Sequence, residues 1–250
     1  MSGTFHDLGT FDVPGLTAGR RVRAYEPIGR ISGVPRPVLY LFDGQNVFDD
    51  EGSFAGGWHA DEAVDKLIPG RTFIAPIVVA IDHGGEKRID ELGPWKMGNQ
   101  GGETDKLVTW MTESLMPVVH GQFELIGGPL GAVVGGSSMG GLAAMYAHFA
   151  RPDAFGGAIC MSPAFWFAKK RIVNFVKNKA KPEISRVYVD CGVREGGGNM
   201  LPICQEIVEN LEGRGYPRSQ LMYRPDPRGT HSERAWRRRL PKALRFMFRR

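Results

Sequence analysis

Val133-Val134-Gly135-Gly136-Ser137-Ser138-Met139-Gly140-Gly141 passes from an apolar, β-branched run into small residues. Ser138 sits there in the pattern Gly-x-Ser-x-Gly, and a helical pattern follows at once through Leu142, Ala143, Ala144, Met145, Tyr146 and Ala147. Strand, sharp turn and helix are the context of a nucleophile elbow, which lifts a serine hydroxyl above the end of a sheet. Gly136 and Gly140 lack a Cβ, so strand and helix can close around a serine held in an unfavourable backbone conformation. A helix N-terminus behind Ser138 favours negative charge beside it. The spacing predicts Ser138 as a nucleophile.

Outward from this segment, short apolar runs alternate with longer amphipathic ones. The pattern predicts strands at 21–25, 38–42, 77–81, 132–135, 158–161, 186–191 and 221–224, and helices at 59–67, 104–120, 141–149, 168–178, 201–212 and 232–248. Such alternation indicates an α/β fold with a mainly parallel sheet. The runs at 38, 77, 132 and 186 are almost wholly apolar, as strands covered by helices on both faces must be. Two short strand-like pieces within 5–26, around Pro14-Gly15, read as an antiparallel N-terminal edge. No repeat, linker or low-complexity tract divides the chain, so a single domain over residues 1–250 is expected, and that length suffices for a substantial core.

Composition narrows the class. Apolar residues make up 42% and charged residues 24%, the balance of a soluble globular protein. No apolar run approaches the ~18 residues of a membrane span. Met1-Ser2-Gly3-Thr4-Phe5-His6-Asp7 has neither a basic start nor an apolar core, so no signal peptide is read and a cytoplasmic location is expected. Cys160, Cys191 and Cys204 form no zinc or redox motif and read as buried thiols. The net charge of +5 is concentrated near the end, where Arg234, Arg237, Arg238, Arg239, Lys242, Arg245, Arg249 and Arg250 face only Glu233. Trp236, Leu240, Leu244 and Met247 fall at helical spacing among them, which predicts a docked amphipathic helix with a solvated basic face, not a nucleic-acid or membrane surface. No metal site, cofactor motif or phosphate loop is read; Asp49-Asp50-Glu51 reads as a solvated loop. No pattern sets an oligomeric state.

A serine hydroxyl needs a base to take its proton, an acid to orient that base, and donors for the oxyanion. Of six histidines, only His231 lies far enough beyond Ser138 for the chain order serine, acid, histidine. It follows the turn Pro225-Asp226-Pro227-Arg228-Gly229-Thr230. The acid should follow the strand at 186–191, which leaves Asp190 and Glu195. Glu195, in the loop Gly192-Val193-Arg194-Glu195-Gly196-Gly197-Gly198, is the freer to reach an imidazole; Asp190 is the alternative. The backbone N–H groups of Met139 and of Gln45, in Asp43-Gly44-Gln45-Asn46 after the strand at 38–42, are the candidate oxyanion donors.

At this point the chain resembles the putative esterase family of α/β-hydrolases, which includes enterochelin-type siderophore esterases, feruloyl and acetylxylan esterases, S-formylglutathione hydrolases and mycolyltransferases. The resemblance rests on residues 39–49, on Val78 to Gly85 with Arg88, Asp90, Glu91, Pro94 and Trp95, and on Gly135 to Gly141. Asp190-Cys191-Gly192 with Glu195, and Gly229-Thr230-His231-Ser232-Glu233 with Trp236, complete it. It implies a serine esterase with Ser138 as nucleophile, His231 as base, Glu195 as acid, and the Gln45 and Met139 N–H groups as oxyanion hole. Leu92 and His83 stand where relatives often carry tyrosine and asparagine; both are expected near the mouth of the site and bear on substrate preference.

Only residues 163–185 separate two adjacent core strands, room for one helix and no cap domain, so an open site is expected. Phe48, Trp95, Phe165, Trp166 and Trp236 are candidates for its aromatic walls, with core packing the competing role for each. The expected substrate is a small-molecule or polysaccharide-linked ester. Acyl transfer to a sugar or lipid hydroxyl and hydrolysis of a siderophore lactone are the alternatives, with a non-catalytic binding protein as the reading from another class.

Overall fold

Alternation of side chains along β3 (Val38–Phe42) explains the layering of the molecule. Val38, Tyr40 and Phe42 enter one core, while Leu39 and Leu41 enter another. The same split runs through β4 (Ile77–Ile81), β5 (Ala132–Ser137), β6 (Gly157–Met161) and β7 (Arg186–Gly192). These five strands and β8 (Leu221–Asp226) pair in parallel. The edge is antiparallel: β1 (Thr4–Asp12) pairs with β2 (Gly19–Glu26), which pairs with β4. The full order is β1-β2-β4-β3-β5-β6-β7-β8. The computed structural model describes residues 2–29, 33–53, 55–70 and 72–249; Met1 and Arg250, quoted above, lie outside the described residues.

Helices cover both faces. On one side lie α1 (Ala60–Asp65) and α8 (Glu233–Met247), which bury Ala63, Val64, Trp236, Leu240 and Leu244 against the sheet. On the other lie α2 (Arg88–Leu92), α3 (Thr104–Trp110), α4 (Met116–Gln122), α5 (Met139–Ala150), α6 (Phe167–Asn178) and α7 (Met200–Gly213). A wide π turn at Met111–Leu115 joins α3 to α4, so the stretch expected as one helix is two with an irregular middle. Ala168, Lys169 and Lys170 take left-handed angles at the start of α6. One helix lies between β6 and β7, and no cap intervenes. The chain has the α/β-hydrolase fold.

Two further details depart from expectation. The N-terminal edge strands are longer than short pieces, at nine and eight residues. Arg88–Leu92 is a helix that the pattern did not reveal, too short to show a period. The edge is also tied inward: buried Arg20 of β2 pairs with buried Glu91 of α2, and Glu91 accepts the Gly84 N–H at 2.6 Å. On α8, Arg234, Arg237, Arg238, Lys242 and Arg245 are exposed while the apolar positions are buried, which is the docked amphipathic helix expected; Arg239, expected on the solvated face, is instead buried because its guanidinium turns inward to Ser162. All three cysteines are buried and free. Among the described residues, no helix is long and apolar enough to cross a membrane.

Candidate active site

The elbow forms where β5 ends at Ser137 and α5 begins at Met139. Ser138 itself has φ 54° and ψ −119°, a region that L side chains rarely occupy. Three backbone hydrogen bonds hold it there. Its N–H donates to the Met161 carbonyl at 3.0 Å, and its carbonyl accepts from Leu142 at 3.1 Å and Ala164 at 2.8 Å. A Cβ on Gly136 would stand 2.7 Å from the Gly140 carbonyl carbon, so only glycine lets α5 approach β5 this closely.

His231 leaves the loop after β8 and turns back over the sheet. Its Nε2 lies 3.0 Å from Ser138 Oγ, and its Nδ1 lies 3.0 Å from Glu195 Oε2. With the proton on Nδ1, the ring donates to Glu195 and can accept from the serine. Trp236 meets the imidazole edge-on, with ring centroids 5.0 Å apart. Glu195 sits in a one-turn helix, Glu195–Gly198, beyond β7, with Gly196 and Gly197 at positive φ. Burial acts to raise its pKa, but hydrogen bonds from His231 and Ser162 and the charge of Arg239 outweigh that and hold it below the usual carboxylate range.

Asp190 lies elsewhere. It is fully buried within β7, and its partners are Tyr188 (3.0 Å), the Ser162 N–H (3.2 Å) and Arg239 (3.4 Å). Burial pushes its carboxyl up to about 6. Of the two acid candidates, the one within reach of the imidazole is Glu195.

The loop after β3 makes a one-turn helix, Gly44–Asn46. Asp43 enters it at φ 58° and is clamped by Arg88, whose Nε and Nη2 donate to its two oxygens at 2.6 and 2.7 Å. Within this turn Asn46 donates to the Asp43 carbonyl and Val47 to that of Gly44. The N–H groups of Gln45 and Met139 donate to no other described residue. Gln45, His83, Arg88, Glu233 and Trp236 line a pocket of about 590 Å³ together with Ser138 and His231.

The aromatic candidates separate. Trp236 lines the pocket. Trp166 is 46% exposed, meets Phe167 and does not line the pocket. Phe48 is instead packed against Phe5 and Tyr25, and Phe165 is buried in the core. Trp95 packs on Tyr146 and Phe175 under Arg171 and does not line the pocket. His83 lines the pocket as expected, whereas Leu92 is 1% exposed, because α2 turns it into the core. The sequence pattern put Arg239 on a solvated face and gave no role to Ser162 or to an Asp43–Arg88 clamp. Ser162, at φ 42°, accepts from Arg239 Nη2 (2.7 Å) and Trp236 Nε1 (3.0 Å) and donates to Glu195 Oε1 (2.8 Å).

Comparison with known proteins gives the family. A family model described as "Putative esterase" matches residues 16–247. The Iron(III) salmochelin esterase of Escherichia coli O6:H1 is 25% identical over 253 residues, covering 94% of this chain and 56% of that protein. The BES protein from Bacillus cereus superposes with a TM-score of 0.79 at 19% identity, covering 99% of this chain and 96% of that one. The enterobactin esterase FES from Shigella flexneri gives a TM-score of 0.80 at 20% identity, with 98% of this chain and 58% of that one covered. This chain thus spans little more than half of those two siderophore esterases. The chain belongs to the esterase family of α/β-hydrolases and is a carboxylic ester hydrolase.

Proposed function

We propose that the chain hydrolyses carboxylic esters through an acyl-enzyme on Ser138. The observation that carries this reading is His231 standing 3.0 Å from Ser138 Oγ on one side and 3.0 Å from Glu195 Oε2 on the other. Ser138 Oγ attacks the ester carbonyl as its proton passes to His231 Nε2. The imidazolium is held by ionised Glu195. The oxyanion takes the N–H groups of Gln45 and Met139, each worth roughly 3 kcal/mol or more in the transition state. The ester C–O bond then breaks, and His231 returns its proton to the leaving alcohol. Water attacks the acyl-serine by the same route in reverse, releasing the acid and restoring the hydroxyl.

Pocket chemistry suits an ester that carries both polar and apolar groups. Asn46, His83, Arg88, Ser232 and Glu233 supply donors and acceptors around the nucleophile, beside the apolar surface of Trp236 and Ala55. Residues 1–250 are read as one catalytic domain, supported by a single sheet that runs from β1 to β8. The names of the siderophore esterases make catecholate lactones the first polar esters to test, beside acetylated sugars and methyl ferulate. Wild type should turn over at least one class, and Ser138→Ala none. Equal turnover by Ser138→Ala contradicts the assignment. Product analysis with added sugar alcohol separates hydrolysis from acyl transfer.

A further inference from the structure

We propose that Arg239 is a positioning residue for the relay, clamping the far oxygen of Glu195 through Ser162, with Asp190 as the counter-charge that keeps its guanidinium in place. The inference rests on the triad reading above. A carboxylate that must serve one imidazole with one oxygen needs its other oxygen fixed, or the group rotates. Glu195 Oε2 faces His231, and Oε1 accepts the Ser162 hydroxyl at 2.8 Å and the Gly192 N–H at 3.0 Å.

The direction of the Ser162 hydrogen bond follows from its neighbours. Guanidinium and indole N–H groups donate and cannot accept. Arg239 Nη2 at 2.7 Å and Trp236 Nε1 at 3.0 Å therefore both occupy lone pairs of Ser162 Oγ. The single hydroxyl proton is left for Glu195. Arg239 thus fixes the polarity of that bond as well as the place of the oxygen. Its Nη1 also lies 3.5 Å from Glu195 Oε1, an ion pair without hydrogen-bond geometry.

Arg239 is held from its other side. Its Nε lies 3.4 Å from Asp190 Oδ2, which also accepts from the Tyr188 hydroxyl, while Oδ1 accepts the Ser162 N–H. Arg239 is 5% exposed, Glu195 4%, and Asp190 and Ser162 0%. Two buried carboxylates share one buried cation, so neither repels the other uncompensated. The two residues that competed for the acid's place on sequence both serve: Glu195 faces the imidazole, and Asp190 holds the arginine that holds Glu195.

Arg239→Met, measured per folded molecule on an ester that wild type hydrolyses, should lower kcat by roughly tenfold or more with KM nearly unchanged, within the range for groups sharing one network. The same substitution in a Glu195→Gln background should lower kcat by less than about threefold, since the group it acts through is gone. Equal fold losses in both backgrounds, or an unchanged kcat, overturn the proposal. If Arg239→Met does not fold, Ser162→Ala is read in the same two backgrounds, with the same dependence expected and a wild-type kcat again overturning it. Full turnover by Ser138→Ala overturns the triad reading and this inference together. Inactive Ser138→Ala with additive Arg239→Met overturns this inference alone.

Discussion

Ser138 is held at φ 54° by its neighbours, not by its own preference. Strain of this kind costs on the order of 1–3 kcal/mol and persists where surrounding contacts over-determine it. Here the contacts are the Met161, Leu142 and Ala164 hydrogen bonds, which deliver the hydroxyl to His231. The acids are distinguished at the same scale. Glu195→Gln should reduce kcat by roughly 10³- to 10⁴-fold by removing the partner that sets the imidazole tautomer. Asp190→Asn should cost far less, as steady-state rates on any hydrolysed ester will show. Asp190 makes a separate prediction about stability. Its folded pKa of about 6 lies above the ordinary carboxyl value of 3.8, so between those values the folded state holds more protons than the unfolded one. Stability from this group is therefore present at low pH and lost as pH rises through about 6, by roughly 3 kcal/mol in all. Wild type should gain thermal stability relative to Asp190→Asn on going from pH 7 to pH 5; a constant difference contradicts this. The proposed triad could be picked out on sequence, with Asp190 still beside Glu195 as the acid, because Ser138, His231 and Glu195 each stand in a punctuated loop in a fixed chain order. Ser162 and Arg239 were not, since their roles exist only where β6, β7 and α8 meet. Phe48 and Trp95 misled because aromatic composition does not separate a core wall from a pocket wall.

Two elements set the geometry of the proposed oxyanion hole, and each fails in its own way. The elbow depends on the bare Cα of Gly136. A methyl group there meets the backbone of Gly140 at 2.7–2.9 Å, which has no flexible end to move. Gly136→Ala should destabilise by several kcal/mol, visible as a large drop in the thermal midpoint or loss of soluble protein. The loop after β3 depends on the Asp43–Arg88 clamp, which holds Asp43 in its left-handed conformation and leaves the Gln45 N–H free. Arg88→Met should lower kcat by roughly 10- to 100-fold, approaching the loss of one oxyanion donor, with the fold retained by circular dichroism. The strands at 38–42 and 77–81 were legible to the residue because their neighbours on both sides break the apolar pattern. The clamp was not, because no local period links Asp43 to Arg88, 45 positions apart.

For the molecule as a whole, one sheet carries Gln45, His83, Ser138, Glu195 and His231 just beyond the carboxyl ends of its strands, the place that parallel sheets leave open for ligands, while α2 and α8 add Arg88 and Trp236. Because both cores share that sheet, urea unfolding should be a single transition, with activity and far-ultraviolet ellipticity lost together; two separated transitions would divide the proposed domain. With one helix between β6 and β7, no cap domain among the described residues covers the pocket, and bulky esters should reach Ser138. The most direct test is labelling by a fluorophosphonate, followed by peptide mass spectrometry. The label should fall on Ser138 alone, and its rate should collapse in His231→Ala with the fold intact. Label on Ser137 or on any other serine, or an undiminished rate without His231, would contradict the assignment of the nucleophile and its base.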